Sequence, residues 1–209
     1  MQATAVVILM AAFALSGVMA AVDNTQCYNY FMYKDGCVQA TGHKYDRCPA
    51  RKPSHHPKSA RLMTIQQGSR LERRYDGPAR VITQARLVWS CPKIKPDPTG
   101  RRPEVCVWAG DAFGRSKTGW LDVTNQNNCG KQVYIQRQRQ PGQAKYAIIT
   151  GGCDFGNSDA SVGCFQIAMN QPLFELFNPT APERASQEIA EVSWDFNNLK
   201  FDKPENAAF

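Results

Sequence analysis

Alternating apolar and polar positions are the main structural signal in the chain, and they begin near Ala79. This alternation, with β-branched and aromatic residues, predicts short strands at Val81–Trp89, Val105–Trp108, Trp120–Thr124, Lys131–Gln136, Lys145–Thr150 and Ile189–Phe196. The pair Gly151-Gly152 is expected to end the fifth of these strands. One short helix is predicted at Pro172–Phe177, where Leu173, Phe174 and Phe177 share a face. Several short strands with one late helix favour a small β-barrel.

The N-terminus has a different pattern, an uncharged apolar run. The first twenty residues contain no Asp, Glu, Lys or Arg, and the apolar run Ala5–Leu15 is followed by Ser16-Gly17 and by Val18-Met19-Ala20. This is typical of a secretory signal peptide with a mature chain starting at Ala21. A transmembrane anchor would need roughly 20 apolar residues. We therefore expect a secreted, extracellular protein.

Residues 21–78 lack a strand pattern and are predicted to be rich in loops. Arg51–Lys58 is basic and contains two prolines, which indicates an exposed loop or linker. All three histidines, His43, His55 and His56, lie in this segment, so a His-based catalytic dyad is not expected. Arg73-Arg74 is either a processing site or part of a solvated surface.

The length of 209 residues suits a single domain with an extension. We expect a signal peptide at 1–20, a basic, cysteine-containing N-terminal extension at 21–78, a barrel domain at 79–199 and a C-terminal tail at 200–209.

The eight cysteines predict four disulfides, because an even number in an oxidising compartment usually pairs. They are Cys27, Cys37, Cys48, Cys91, Cys106, Cys129, Cys153 and Cys164. Three precede residue 50 and five follow residue 90, so complete internal pairing requires at least one bridge between the two groups. Cys153 could pair with Cys164, or one of the two with Cys129, and Cys91 could pair with Cys106. A zinc site at Cys37, His43 and Cys48 is the rival interpretation, but the chain has no CxxC pair.

Charge is unevenly distributed along the chain. The formal net charge is +7, made up of +5 over residues 21–78, +8 over 79–145 and −6 over 146–209. The surface is either mixed and solvated, or it has a basic face for anionic polymers such as pectic or teichoic material. Nucleic acid is not an expected partner of a secreted chain.

The order of the later motifs resembles the six-stranded double-psi β-barrel of the RlpA-like, barwin and expansin group. The matching pieces are Cys129-Gly130 before a strand, Cys153 after the next strand, Cys164–Ala168, the helix with Phe174, and the strand with Val192-Ser193-Trp194. The resemblance covers Trp120–Phe196 best and extends plausibly over Ala79–Leu199. It implies a mainly β fold, a double-psi barrel with a short helix, to which residues 21–78 would add a disulfide-tied extension. Small secreted, cysteine-rich members of the group, including effector-like proteins, are common in fungi and plants.

The acidic residues of the group are missing from this chain. Gly151 stands where the group has an Asp two residues before the cysteine, and Gln166 stands at the acidic position before the helix. Glycoside hydrolysis usually requires two carboxylates across the scissile bond, and an amide cannot donate the proton. Asp154 and Asp159 are weak catalytic candidates nearby, and Asp111 and Asp122 have a similar standing. We therefore expect no enzyme activity.

The binding residues implied by a polymer-binding groove are aromatic. Trp120, Trp89 and Trp108 are candidate platforms for sugar rings, with Gln166 in the same region, although large aromatics also pack cores. The first hypothesis is a non-catalytic barrel that binds or loosens cell-wall polysaccharide. The alternatives are an extracellular protein-binding effector or protease inhibitor, and a lytic enzyme with a relocated acid. No metal, cofactor or membrane partner is expected, and the protein is expected to be a monomer.

Overall fold

The computed structural model describes residues 24–49, 60–66, 85–95, 97–110, 119–121, 124–137, 140, 142–156, 158–198 and 200–209, with the backbone alone for 60–66. The predicted signal peptide, the predicted linker Arg51–Lys58, the pair Arg73-Arg74, and both Asp111 and Asp122 lie outside the described residues. Among the helices in the described ranges, none combines the length and the apolar composition needed to cross a membrane.

Seven strands account for most of the regular structure in the described ranges. They are β1 (Ala60–Gln66), β2 (Ala85–Ser90), β3 (Glu104–Trp108), β4 (Gln132–Arg137), β5 (Lys145–Asp154), β6 (Ile167–Met169) and β7 (Glu188–Phe196). The helices are α1 (Gln26–Asp35), α2 (Ala160–Gly163), α3 (Gln171–Leu176) and α4 (Ala181–Ser186), followed by a 3-10 turn at Pro204–Asn206.

The strands form one mixed sheet in the order β2-β1-β6-β3-β5-β4-β7. Two further pairings join β2 to β5 and β1 to β7. The pairs β1–β2, β1–β6 and β3–β5 are parallel, and the other pairs are antiparallel. The predicted mainly β fold with short helices is confirmed at this level.

The predicted end of β5 at Gly151-Gly152 is wrong, because the strand continues through both glycines to Asp154. Gly151 pairs with Ser90 of β2 and with Cys106 of β3. A Cβ atom at Gly151 would lie 2.4 Å from the carbonyl oxygen of Trp89. Glycine therefore allows two neighbouring backbones to approach β5 closely, and it does not act as a strand breaker.

The predicted strand at Trp120–Thr124 is also not observed among its described residues. Trp120, Leu121 and Thr124 lie in no strand, and the first two are buried. Both side chains pack into the core, and the backbone N–H of Trp120 donates to the carbonyl oxygen of Trp108 at the end of β3 at 2.7 Å.

The segment predicted to be rich in loops contains a helix and a strand. Helix α1 begins after the N-cap Thr25, whose hydroxyl accepts from the backbone of Tyr28, and ends at Gly36 in the left-handed conformation. Strand β1 pairs with β2, β6 and β7, so the expected boundary at residue 79 falls after the first strand of the sheet.

Four disulfides are present, as predicted. They are Cys27–Cys164, Cys37–Cys48, Cys91–Cys129 and Cys106–Cys153. The first confirms the required bridge between the two groups of cysteines. The candidate pairs Cys153–Cys164 and Cys91–Cys106 are wrong, because Cys106 of β3 is bonded to Cys153 of the neighbouring parallel strand β5. Cys129 pairs with Cys91 and with neither Cys153 nor Cys164.

The last residues of the chain pack against the N-terminal segment and the start of β4. Asn128 is fully buried, and its side chain bonds both the backbone N–H and the carbonyl oxygen of Phe209. The Nζ atom of Lys131 lies 4.0 Å from the Phe209 ring centroid, and burial lowers the pKa of this lysine to about 7. The backbone of Ala208 also donates to Ala40. These contacts fix the loop that connects β7 to the C-terminus.

Candidate functional site

Two of the three candidate tryptophan platforms are core residues. Trp108 is 0% exposed and Trp120 is 4% exposed. The indole N–H of Trp120 donates to the carbonyl of Cys164 at 2.9 Å, and the ring of Phe31 in α1 stacks on it at 5.8 Å. Neither tryptophan presents a ring face to a polymer in this structure. The predicted platform role of Trp108 and Trp120 therefore has to be corrected, because Phe31 of α1 covers the Trp120 ring and Gly163 of α2 lies against the Trp108 ring.

Trp89 and Gln166 are half-buried. Trp89 lies in β2 and packs against the core, between the exposed residues Val88 and Ser90. Gln166 lies between α2 and β6, and its backbone N–H donates to Gly163. Their suggested binding roles stay predictions.

The candidate carboxylates hold local backbone structure. Asp154 accepts a hydrogen bond from the backbone of Gly156 at 2.7 Å. Asp159 is the N-cap of α2 and accepts from the backbone of Ser161 at 2.7 Å. Each aspartate thus has a local hydrogen bond to the backbone, Asp154 at the end of β5 and Asp159 at the start of α2.

A row of polar and aromatic side chains crosses three neighbouring strands. Tyr134 in β4 is directly opposite Tyr146 in β5 and Asp195 in β7. The neighbours of Tyr134 along the strand, Val133 and Ile135, are fully buried, so Tyr134 projects from the opposite face of the sheet. The three side chains therefore share the face turned away from the core.

Asp195 is the most unusual ionisable group in this row. Burial raises the pKa of its carboxyl group to about 7, and the effect is only partly opposed by the Phe196 backbone N–H, at 2.7 Å, and by the charge of Arg47. Burial and the nearby Asp195 also raise the pKa of Tyr134. The row thus holds a carboxyl group that changes charge near neutral pH.

Two cations border the row, and each lies over an aromatic ring. The Nζ atom of Lys203 is 5.9 Å from the ring centroid of Tyr146, and Cζ of Arg47 is 3.5 Å from that of Phe201. Tyr146 and Phe201 are each 49% exposed. We call the six residues of this surface the outer patch: Arg47, Tyr134, Tyr146, Asp195, Phe201 and Lys203.

The outer patch is held together by the loop after β7. The side chain of buried Asn198 accepts from the backbone of Lys203 at 3.2 Å. Arg47 donates to the carbonyl oxygens of Thr41 and Asn198. The cations therefore approach the sheet from two segments far apart in sequence.

Sequence reasoning missed the outer patch, although part of its signal was available. Tyr134 and Asp195 occupy polar positions of strands that were correctly predicted from alternation. Nothing in the sequence indicated that these two strands pair in this register, or that Arg47 reaches them from the N-terminal segment.

The rival zinc interpretation does not fit the observed cysteines. Cys37 and Cys48 are bonded to each other, so they do not supply two thiolates. Within the described ranges, no cluster of three or more His, Cys, Asp or Glu side chains is arranged to hold a metal ion.

Comparison with known proteins adds no family assignment. No family model matches the sequence, and no curated protein matches it. Function is therefore argued from the residues and their geometry.

Proposed function

We propose that the chain is a secreted, non-catalytic double-psi barrel that binds a cell-wall polysaccharide, and that the polysaccharide is anionic. Secretion is supported by the four disulfides, which persist in oxidising compartments. The barrel is supported by the additional pairings β1–β7 and β2–β5, which join strands from distant positions of the sheet order. The order of the Cys-Gly, Cys, helix and Val-Ser-Trp motifs supports the same assignment.

The observation that carries the ligand assignment is the pairing of cations with half-exposed rings in the outer patch. Lys203 and Arg47 can neutralise carboxylates, while Tyr146 and Phe201 offer apolar ring surface to the C–H faces of sugars. When Asp195 is protonated, the patch has two cations near this row and no charge on the carboxyl group. An acidic polysaccharide fits this combination better than a neutral one.

We propose a non-catalytic protein because the chain lacks a pair of carboxylates at the positions where the resembled group has acidic residues. Gly151 has no side chain, Gln166 is an amide, and Asp154 and Asp159 each cap a backbone group. A lytic enzyme with a relocated acid stays the third hypothesis. That hypothesis would be supported if the wild-type protein released reducing sugar from the polymer and the Asp154→Asn variant did not.

Retention on insoluble polymers tests the proposed function. The oxidised mature chain is expected to bind cross-linked polygalacturonate more strongly than cellulose or chitin, without releasing reducing sugar. We expect Lys203→Gln and Tyr146→Ala each to weaken retention about three- to tenfold, because each removes one half of a cation–aromatic pair. Tyr33→Ala is the matched control, since Tyr33 is 93% exposed on α1, outside the outer patch.

Salt and pH identify the forces involved. Retention should fall between 0.1 M and 1 M salt, as the Debye length shrinks from about 10 Å to 3 Å. It should rise as the pH is lowered from 8 to 6, because Asp195 loses its negative charge while polymer carboxylates stay ionised. Equal retention on all three polymers, or equal loss for Tyr33→Ala and Tyr146→Ala, would contradict binding through the outer patch.

A second candidate function, an extracellular protein-binding effector or protease inhibitor, is favoured by a separate observation. Tyr45 is 96% exposed and lies in the N-terminal segment. Exposed tyrosines are frequent anchors at protein interfaces.

A further inference from the structure

The loop Cys37–Cys48 has the construction of a preformed binding loop. It follows directly after α1, and the disulfide between its ends closes a ring with a sequence separation of 11. At its base, the backbone of Val38 donates to Asp46 at 2.7 Å, and the backbone of Cys48 donates to Val38 at 3.3 Å. The two ends are thus joined by a covalent bond and by two backbone hydrogen bonds.

A buried hydrogen-bond network supports the loop from below. The hydroxyl of Tyr28 in α1 donates to Oδ2 of Asp46 at 2.8 Å and lies 2.8 Å from the hydroxyl of Thr41. Tyr28 and Thr41 are fully buried. Burial raises the pKa of Tyr28 to about 12, so its hydroxyl keeps its proton. Thr41 also accepts from the backbone of His43 at 3.0 Å, which orients the start of the tip.

The tip of the loop is a tight turn that presents Lys44 and Tyr45. The backbone of Asp46 donates to the carbonyl of His43 at 3.2 Å, so Lys44 and Tyr45 occupy the two central positions of the turn. Tyr45 is 96% exposed and Lys44 is also exposed. The carboxylate of Asp46 is turned inward to Tyr28, so Lys44 is the charge presented beside the ring.

The combination of full exposure with a braced base distinguishes Tyr45 from an ordinary surface tyrosine. Single exposed apolar residues are common and need no explanation. A braced loop, however, loses little conformational entropy on binding, and a tyrosine has only two side-chain torsions to fix. Little further conformational entropy is therefore lost when this ring is buried at an interface.

We infer that the Cys37–Cys48 loop docks onto an extracellular protein that has an apolar pocket for Tyr45 with a carboxylate rim for Lys44. The inference rests on the second candidate function, and it concerns the tip of the loop, whereas Arg47 at the base of the same loop belongs to the outer patch. The loop tip is a turn, whereas protease clefts and sheet edges bind peptides in extended conformation. Docking to a preformed pocket thus fits the loop better than protease inhibition.

Site-specific photocrosslinking tests this inference in the oxidised mature chain. 4-Azidophenylalanine at position 45 keeps the ring of Tyr45, and the same residue at position 33 is the matched control. Each protein is irradiated in the extracellular fluid of the culture or tissue that contains the chain. We expect a discrete adduct from position 45 only. Excess wild-type protein should suppress it, and Tyr45→Ala or Lys44→Glu protein should not.

Tyr28→Phe tests the role of the braced base without touching the tip. It removes the hydroxyl that bonds Thr41 and Asp46 while leaving Tyr45 in place. About tenfold more of this variant should be needed for equal suppression, because the base of the loop is no longer braced while Lys44 and Tyr45 are unchanged. Equal suppression by Tyr28→Phe would overturn the inference that a braced loop carries the binding.

Two other outcomes distinguish a failure of docking through the loop from a failure of the proposed protein-binding function. Suppression by Tyr45→Ala as strong as by wild type would overturn docking through the loop and leave protein binding to another surface. If no adduct can be suppressed by wild-type protein, both the inference and the protein-binding function fail. Circular dichroism of each variant establishes that the comparison is made between folded proteins.

Discussion

Asp195 shows how a single residue can link the stability of the fold to the charge of the outer patch. Its backbone is set by β7, opposite Tyr134, and its carboxyl group lies where burial favours the neutral form. Arg47 opposes this effect only in part, because its guanidinium also donates to the carbonyl oxygens of Thr41 and Asn198. The residue is therefore positioned by strand pairing, and its pKa is governed mainly by burial.

We predict that Asp195→Asn makes the protein more stable at pH 8 and has a smaller effect at pH 5. The folded carboxyl titrates at about 7 and the unfolded one near 4, so the folded state binds more protons between these values. Wild-type stability consequently decreases as the pH rises from 4 to 7, and a neutral amide removes this slope. A gain on the order of 1–3 kcal/mol in the free energy of unfolding is expected at pH 8.

Urea denaturation at pH 5 and pH 8 measures the effect. Asp202→Asn is the control, because Asp202 also faces Arg47 and is exposed. A stability gain for Asp195→Asn that is the same at both pH values would contradict an effect through titration. The same variant should lose the pH dependence of polygalacturonate retention, which joins the two measurements to one group.

At the residue scale, the sequence indicated the chemical character of the candidate side chains better than it indicated their exposure to solvent. The aromatic character of Trp120 suggested a platform, and only the position of α1 revealed that Phe31 covers it. Asp154 is the last residue of β5 and Asp159 is the N-cap of α2, and each carboxylate accepts a hydrogen bond from a nearby backbone N–H. Exposure depends on segments distant in sequence, which a local pattern does not contain.

At the scale of elements, strands with clear alternation were predicted well. Strands β3, β4 and β7 and helix α3 lie within one or two residues of their predicted bounds. Strand β6 was missed because it has only three residues, too few for a period to be recognised. Helix α1 was missed because its apolar residues do not form a clear stripe, and a cap and a disulfide fix it instead.

The glycines of β5 provide a test at the same scale. We predict that Gly151→Ala destabilises the protein by about 2–4 kcal/mol, because its Cβ would lie 2.4 Å from the Trp89 carbonyl oxygen and 2.6 Å from the Leu87 side chain. Gly42→Ala is the matched control, since its Cβ would meet only the methyl group of Ala207, at 3.2 Å. The measurement is the free energy of unfolding in urea. Equal effects of the two substitutions would mean that β2 can move away from β5 without cost.

At the scale of the whole molecule, the cysteine count predicted the number of bridges and the need for a long-range one. Pairing itself was not predictable, because eight cysteines allow 105 complete pairings and loop composition does not report which strands are adjacent. The pair Cys106–Cys153 illustrates this, since its two cysteines belong to parallel strands separated by 47 positions. The outer patch could not be predicted either, because its residues also come together only through the pairing of distant segments.

The long-range bridge should contribute more to stability than the local one. In the chain-entropy estimate, closing loops of 137 and 11 residues contributes about 5 and about 3 kcal/mol. We therefore expect the double variant Cys27→Ala/Cys164→Ala to unfold at lower urea than Cys37→Ala/Cys48→Ala. The second variant should lose suppression of the adduct at position 45. The reverse order of stability would show that the N-terminal segment holds to the sheet by packing alone.

The bridge Cys27–Cys164 also determines how the molecule would respond to mechanical tension. A force applied between residues 24 and 209 passes through this bond, and strands β1 to β5 lie on a bypassed branch that carries no load. Only the stretch after Cys164 can unravel, which limits extension to about 170 Å, compared with about 650 Å for the reduced chain. Under tension between these two ends the molecule would yield first at β7, while strands β1 to β5 stayed paired with one another.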